Sequence, residues 1–258
     1  MTRPLAEMDV VYITAEERTN EALRYSLRSV AANFPHRKVW LSGFQPIWLA
    51  NVGYIPEAGG ETKEARIYNT ALAVAQHPDV SDQFVMFNDD FFITEPMTKM
   101  PMRYLQPLRK HCDEPLIKAG KDGWAQTMRS TLDLLLELGV KNPLSYELHV
   151  PMMFDKKVLA EVMEPYVGDA PPQLRSLYGN LANVGGIQQG DVKALLNGRN
   201  YQIPKPFFST WDLTFTEYQP KLNKMFPTPS LYEQAGTVQS VLAAAVLSKL
   251  IARAAAAK

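Results

Sequence analysis

Two adjacent carboxylates, Asp89 and Asp90, close an apolar run from Phe84 to Phe87, and Phe91 and Phe92 follow them. A short run of aromatic and β-branched residues reads as a strand buried on both faces. The C-terminal end of such a strand is where open α/β sheets place their ligands. Side by side and unpaired, two carboxylates repel each other and lose hydration, so a cation belongs between or beside them. Mg²⁺ or Mn²⁺ carrying a diphosphate is the natural candidate, because hard cations take one or two carboxylates and complete their shell with phosphate oxygens. The plainer alternative is a strand ending in a turn, with Asn88, Asp89 and Asp90 as turn residues and helix cap.

Further groups could act on an anion or a proton. Arg24 and Arg28 stand one helical turn apart, and Arg18 lies in the loop TAEERTNE after the first apolar run. That loop is a nucleotide-binding position when the run is a parallel strand. The three arginines are therefore placed near a diphosphate, with solvated helix charges as the alternative. His149 sits among apolar residues just before Pro151, at a junction between extended chain and helix where ligand-facing side chains are common. Most histidines are structural, and that reading stays open beside catalysis. Arg175 begins another helix-like stretch ahead of Tyr178, Gly179 and Asn180. Gly185, Gly186 and Gly190 lack the spacing of a phosphate-cradling loop, so ANVGGIQQGDVK reads as a mobile loop without chemistry.

The elements that must position these groups follow from hydrophobic periodicity. DVVYI (9–13) is a first strand, and ALRYSLRSVAANF is a helix capped by Asn20 and ended by Pro35. KVWLS (38–42) and 51–55 are further strands, EARIYNTALAVAQHP is an amphipathic helix containing Asn69, and the acidic strand comes next. This order predicts a doubly wound α/β layer. Residues 94–124 read as an irregular excursion over the sheet. Helices are expected over 124–138 and from about Lys156 to Met163. PFFSTWDLTF reads as the end of a strand, FPTPSLYE as a proline-punctuated loop, and 241–258 as an Ala-rich helix or an expression tail.

The 258 residues suffice for one large core, read as a single domain over 1–240 with a nucleotide half near 1–100 and an acceptor half near 101–240. Charges balance at 27 basic against 27 acidic, which gives no global field for a polyanion. One cysteine, Cys112, cannot form an internal disulfide. With no apolar run of signal or membrane-span length, a cytoplasmic protein is expected.

Taken together, four stretches resemble the Stealth family of sugar-phosphate transferases. They are DVVY at Asp9–Tyr12; Arg18, Asn20, Glu21 and LRYSLRS with QPIWL; Asn69 with FNDDFF; and LHVPMMFDK with Arg175 downstream. The Trp-Val-Asp-Gly continuation of that family's first block is absent, and its fourth block has no clear counterpart. The YGNL, STWD and FPTPSLYE stretches are also similar to small glycosyltransferases encoded by phages of actinobacteria. The resemblance implies a GT-A-like, Rossmann-like, mostly parallel sheet flanked by helices, with a helical and irregular C-terminal portion. It implies catalytic roles for His149, Arg175 and Asp90, and a metal held by Asp89 and Asp90. Thr14, Arg18, Arg24, Arg28, Asn69 and Asn88 would contact a UDP- or GDP-sugar donor. A metal-dependent glycosyltransferase is expected, acting in the (host) cytoplasm on modified DNA, a virion protein or a glycan. The alternatives are a sugar-phosphate transferase releasing a nucleoside monophosphate, and an inactive binding module.

Overall fold

The computed structural model describes residues 3–14, 19–195 and 202–234. The loop residue Arg18 and the expected helix over 241–258 lie outside the described residues. The first half runs β1 (Asp9–Thr14), α1 (Glu21–Asn33), β2 (Val39–Gly43), β3 (Gly53–Ile55), α2 (Lys63–Gln76) and β4 (Gln83–Phe87). It continues through β5 (Phe91–Ile93), β6 (Arg103–Tyr104), β7 (Gln106–Pro107), α3 (Leu108–Cys112), α4 (Pro115–Ala119) and α5 (Gly123–Glu137). Then come β8 (Leu144–Ser145), β9 (Met152–Asp155), α6 (Lys156–Met163), α7 (Leu174–Leu181), β10 (Ile187–Gln188), β11 (Phe207–Ser209) and α8 (Asp212–Met225).

The central sheet has the order β3-β2-β1-β4-β9. Its first four strands are parallel and β9 is antiparallel to β4. This is a mixed α/β fold with a mostly parallel sheet flanked by helices, as the alternation of strand and helix predicts. Period-2 geometry splits each central strand between two cores. Val10, Tyr12, Val85 and Phe87 pack with Leu23, Leu27 and Val30 of α1. Val11 and Phe84 pack with α2, α5, α6 and α7 through Tyr68, Met128, Leu159 and Leu177. Both faces are covered, which is why these strands read as continuous apolar runs. No helix among the described residues is long and apolar enough to cross a membrane.

Three departures from the sequence reading follow from tertiary pairing. The 94–124 excursion contains the short helices α3 and α4. The acidic turn is followed by a distinct strand, β5, whose partner is β11, more than a hundred residues later. PFFSTWDLTF does not remain extended beyond Ser209, since α8 begins at Asp212 and tolerates Pro220 inside it.

Arg24 and Arg28 are not cleft cations. Arg28 grips Glu233 through Nε and Nη2, both at 2.8 Å, and Arg24 Nη1 donates to the same carboxylate at 2.9 Å. Arg24 also stacks over Trp48 at 4.3 Å. The side chains of Arg24, Arg28 and Glu233 are 5%, 6% and 1% exposed. They form a buried lock between α1 and the chain segment read as a simple loop. Burial alone would raise the Glu233 pKa, but the hydrogen bonds from Arg28, the Ser230 backbone and Arg24, with the Arg28 charge, together outweigh it and leave the carboxyl below its ordinary value.

Breaking one partner of such a pair strands a buried charge, which costs about 3 kcal/mol or more. Arg28→Met is therefore expected to lower the melting temperature by on the order of 10 °C. Because the Glu233 pKa is depressed in the folded state, the wild-type advantage is present above its unfolded value and fades as pH falls through the folded one. Thermal melts at pH 7 and pH 3.5 check both statements, and an unchanged melting temperature at pH 7 would return Arg28 to the free surface cations.

Candidate active site

The C-terminal ends of β1 and β4 open into a cleft of about 930 Å³. Its wall includes Thr14, Asn88, Asp89, Glu147, His149 and Arg175, which come from four separate parts of the chain. Of the residues singled out from sequence, Thr14, Asn88, Asp89, His149 and Arg175 are thus brought together.

Asp89 and Asp90 occupy the middle of a tight turn in which Phe91 N donates to Asn88 O at 3.2 Å. The turn of the plainer reading is therefore present, although a strand and not a helix follows it, and of the two carboxylates Asp89 lines the cleft while Asp90 does not. The turn is held from one side by α1. Asn20, fully buried in left-handed conformation (φ 37°), caps that helix through Oδ1 to Leu23 N at 3.0 Å. Its Nδ2 donates to Asp89 Oδ2 at 2.8 Å. Further along α1, Ser26 Oγ donates to Phe91 O, Ser29 Oγ accepts from Ile93 N at 3.0 Å, and Asn33 Nδ2 donates to Ile93 O at 2.7 Å. One polar stripe of α1 thus replaces a neighbouring strand for β5.

Burial raises the Asp89 pKa against the Asn20 hydrogen bond, with Asp212 adding to the rise. Burial and the adjacent Asp89 charge push Asp90 up to about 7, with Lys193 opposing. Among the described residues no group of three or more His, Cys, Asp or Glu could enclose a metal ion. The acidic pair fits the other mode, in which a hard divalent cation takes one or two carboxylates and fills its shell with water and phosphate. A desolvated Asp89 on the cleft wall, whose side-chain partner is a neutral amide, is a carboxylate suited to such a cation.

His149 and Arg175 line the same cleft. Arg175 Nη2 donates to Val150 O at 2.6 Å, and its Nε is buried with no partner among the described residues. Burial pushes the guanidinium pKa down against Glu147 and Asp191. Glu147 Oε1 accepts from Ser176 N at 3.0 Å and Ser176 Oγ at 2.8 Å, so it caps the first turn of α7 from a distant loop. Three helices begin on this cleft: α2 with Lys63 and Arg66, α5 with Trp124, and α7 with Leu174 and Arg175. Helix N-termini carry partial positive charge, so their convergence favours an anion between them.

The remaining expected contacts fall elsewhere. Thr14 is on the wall, but its hydroxyl is spent on Phe44 O at 2.8 Å. Gly43 beside it has φ 105°, and a Cβ there would meet Thr14 O at 2.1 Å, so the end of β2 can only be glycine. Asn69 is not on the wall; its Nδ2 donates to Gly59 O at 2.7 Å and pins the loop before α2. The sequence reading also missed two residues. Asp191 Oδ2 lies 2.6 Å from His149 Nδ1, and Lys193 Nζ lies 3.1 Å from His149 Nε2. Both belong to the glycine-rich stretch set aside as a mobile loop. Alternating charges around Val192, in GDVK, were the only trace of them in the sequence.

No family model and no curated protein matches this chain. Among solved structures, galactosyltransferase LgtC in complex with donor and acceptor sugar analogues is 11% identical, with 86% of this chain and 96% of that one covered and a TM-score of 0.44. Mouse xyloside xylosyltransferase 1 in its apo form is 7% identical, covering 88% and 96%, with a TM-score of 0.40. The 4-diphosphocytidyl-2C-methyl-D-erythritol synthase of Anaerococcus prevotii is 10% identical over 71% and 86%, with a TM-score of 0.34. These scores all lie under 0.5, and what the cleft can do is derived below from its own residues.

The raised pKa of Asp90 has a stability consequence. From about pH 4 to pH 7 the folded protein holds a proton there that the unfolded chain has released, so wild-type stability falls as pH rises through that window. Asp90→Asn is expected to stabilise the metal-free protein relative to wild type more at pH 8 than at pH 5. Parallel thermal melts in chelator decide it; an advantage independent of pH contradicts the raised value.

Proposed function

We propose that the protein is a nucleotide-sugar-dependent transferase with a GT-A-like fold, moving a sugar from a UDP- or GDP-sugar to an acceptor hydroxyl. The observation that carries this reading is the convergence of Asp89, His149 and Arg175 on one cleft at the C-terminal end of a mostly parallel sheet. That is the ligand position of open α/β folds. Three helix N-termini and the basic residues Lys63, Arg66 and Arg175 suit it to a diphosphate.

In this reading Asp89, with Asp90 beside it, holds Mg²⁺ or Mn²⁺, which when bound would neutralise charge on the leaving diphosphate. Arg175 supplies its unpaired Nε–H to a phosphate oxygen, so a buried donor without a partner gains one as negative charge grows. His149 accepts the proton of the acceptor hydroxyl, the role of general base for which imidazole is most often used. Asn20 keeps Asp89 oriented. Glu147 keeps the start of α7, and Arg175 with it, at the wall.

Arg175 also favours a second reading. A guanidinium whose Nε–H has no partner among the described residues, on the same cleft as the imidazole, suits attack at the β-phosphorus, the reaction of sugar-phosphate transferases. The nucleotide released separates the two: UDP or GDP for sugar transfer, UMP or GMP for sugar-phosphate transfer.

A thermal-shift screen of UDP- and GDP-sugars with Mn²⁺ tests both. A donor at a hundredfold excess over Kd should stabilise the protein by about 2.7 kcal/mol. His149→Ala is expected to keep that shift and lose about 10²- to 10⁴-fold in kcat, whereas Asp89→Ala should lose the Mn²⁺-dependent part of the shift. Chromatography of the nucleotide product assigns the reaction. If no nucleotide sugar moves the melting temperature, the transferase reading fails.

A further inference from the structure

We propose that Asp191 and Lys193 are the positioning residues of His149, fixing its tautomer and presenting Nε2 as the proton acceptor; the inference rests on the transferase reading. His149 is joined to the segment after β10 at three points. Asp191 Oδ2 lies 2.6 Å from Nδ1, Asp191 Oδ1 accepts from the His149 backbone N–H at 3.1 Å, and Lys193 Nζ lies 3.1 Å from Nε2.

These contacts allow one proton arrangement. An ammonium has three donors and no acceptor, so Nε2 must accept from Lys193. The imidazole then carries its proton on Nδ1, and the Asp191 carboxylate, an acceptor only, receives it. A base oriented by a third group is the general arrangement of activated catalytic sites. Here the orienter is itself anchored, because Asp191 Oδ1 also accepts from Val192 N at 2.9 Å. The segment behind it is tied to β11, where Ala194 N donates to Ser209 O at 2.8 Å and Lys193 bridges to the same residue. Phe91, the residue after the acidic turn, meets the imidazole edge-on at 6.4 Å. The ring is thus held by packing, a carboxylate and an ammonium at once. An acceptor hydroxyl reaching Nε2 takes the place of Lys193, whose charge already acts on Asp90 across the site.

The test separates geometry from activity. With only four histidines in the chain, ring ¹⁵N–¹H correlation spectra of the ligand-free protein are readable, and His149→Gln assigns the signal. Wild type is expected to show the Nδ1–H form. Asp191→Asn preserves shape and an acceptor for the backbone but turns a donor toward Nδ1; that donor competes with the one Lys193 presents to Nε2, so the ring should lose its single Nδ1–H form and populate the Nε2–H form. Its kcat should fall about 10²-fold or more with donor KM within about twofold, and Asp191→Glu should recover part of both. Lys193→Met should keep the Nδ1–H form and lose the through-space contact to Nε2. A wild-type ring in the Nε2–H form, or an Asp191→Asn variant with unchanged tautomer and kcat, overturns the proposal. A tautomer switch in a protein that turns over no nucleotide sugar rejects the transferase reading while the positioning of the ring by Asp191 stands.

Discussion

Two carboxylates that have lost much of their water at the end of a buried strand set the problem around which the rest of the molecule is arranged. Asp89 and Asp90 follow β4 directly, and burial resists their charge. A neighbour of the same sign makes the cost larger. The surroundings offset it piecemeal. Asn20 gives Asp89 one donor, Lys193 gives Asp90 a distant positive charge, and three helix N-termini point into the same cleft. What is left uncompensated is carboxylate charge at the end of β4, which is the basis of the cation site proposed above.

Holding that turn in place is the work of α1. Its apolar face, Leu23, Leu27 and Val30, packs on the sheet. Its Ser26, Ser29 and Asn33 hold the backbone of β5. Its arginines close on Glu233 on a further side. One helix therefore fixes the acidic turn, the strand after it and the segment near residue 233. The arginine lock lies off the cleft, whose wall carries His149 and Arg175.

That wall is assembled differently. Glu147 and His149 share one loop, Arg175 belongs to α7, and Asp191 lies behind His149 in the segment after β10; side-chain-to-backbone bonds join them, Glu147 to Ser176, Arg175 to Val150, Asp191 to His149. His149 is thereby placed by loop segments, while the acidic turn is placed by β4 and α1. Side chains set on loops over a fixed scaffold commonly carry function.

The parallel core was legible in the sequence because its signal is local. Strands buried on both faces must be apolar throughout, and amphipathic helices must repeat every 3.6 residues, so DVVYI, KVWLS, FVMF and the helices between them declare themselves. The acidic pair at a strand end and the Asn20 cap were legible for the same reason. Partnership was not. Arg24 and Arg28 look like free phosphate ligands until Glu233, some 200 residues on, is seen to neutralise them. GDVK looks inert until the fold lays it against His149. The sequence by itself determined which segments could be buried and where charge would gather. Only the tertiary structure decided which charges are already spent on one another, because pairing depends on distances in space that chain spacing does not encode.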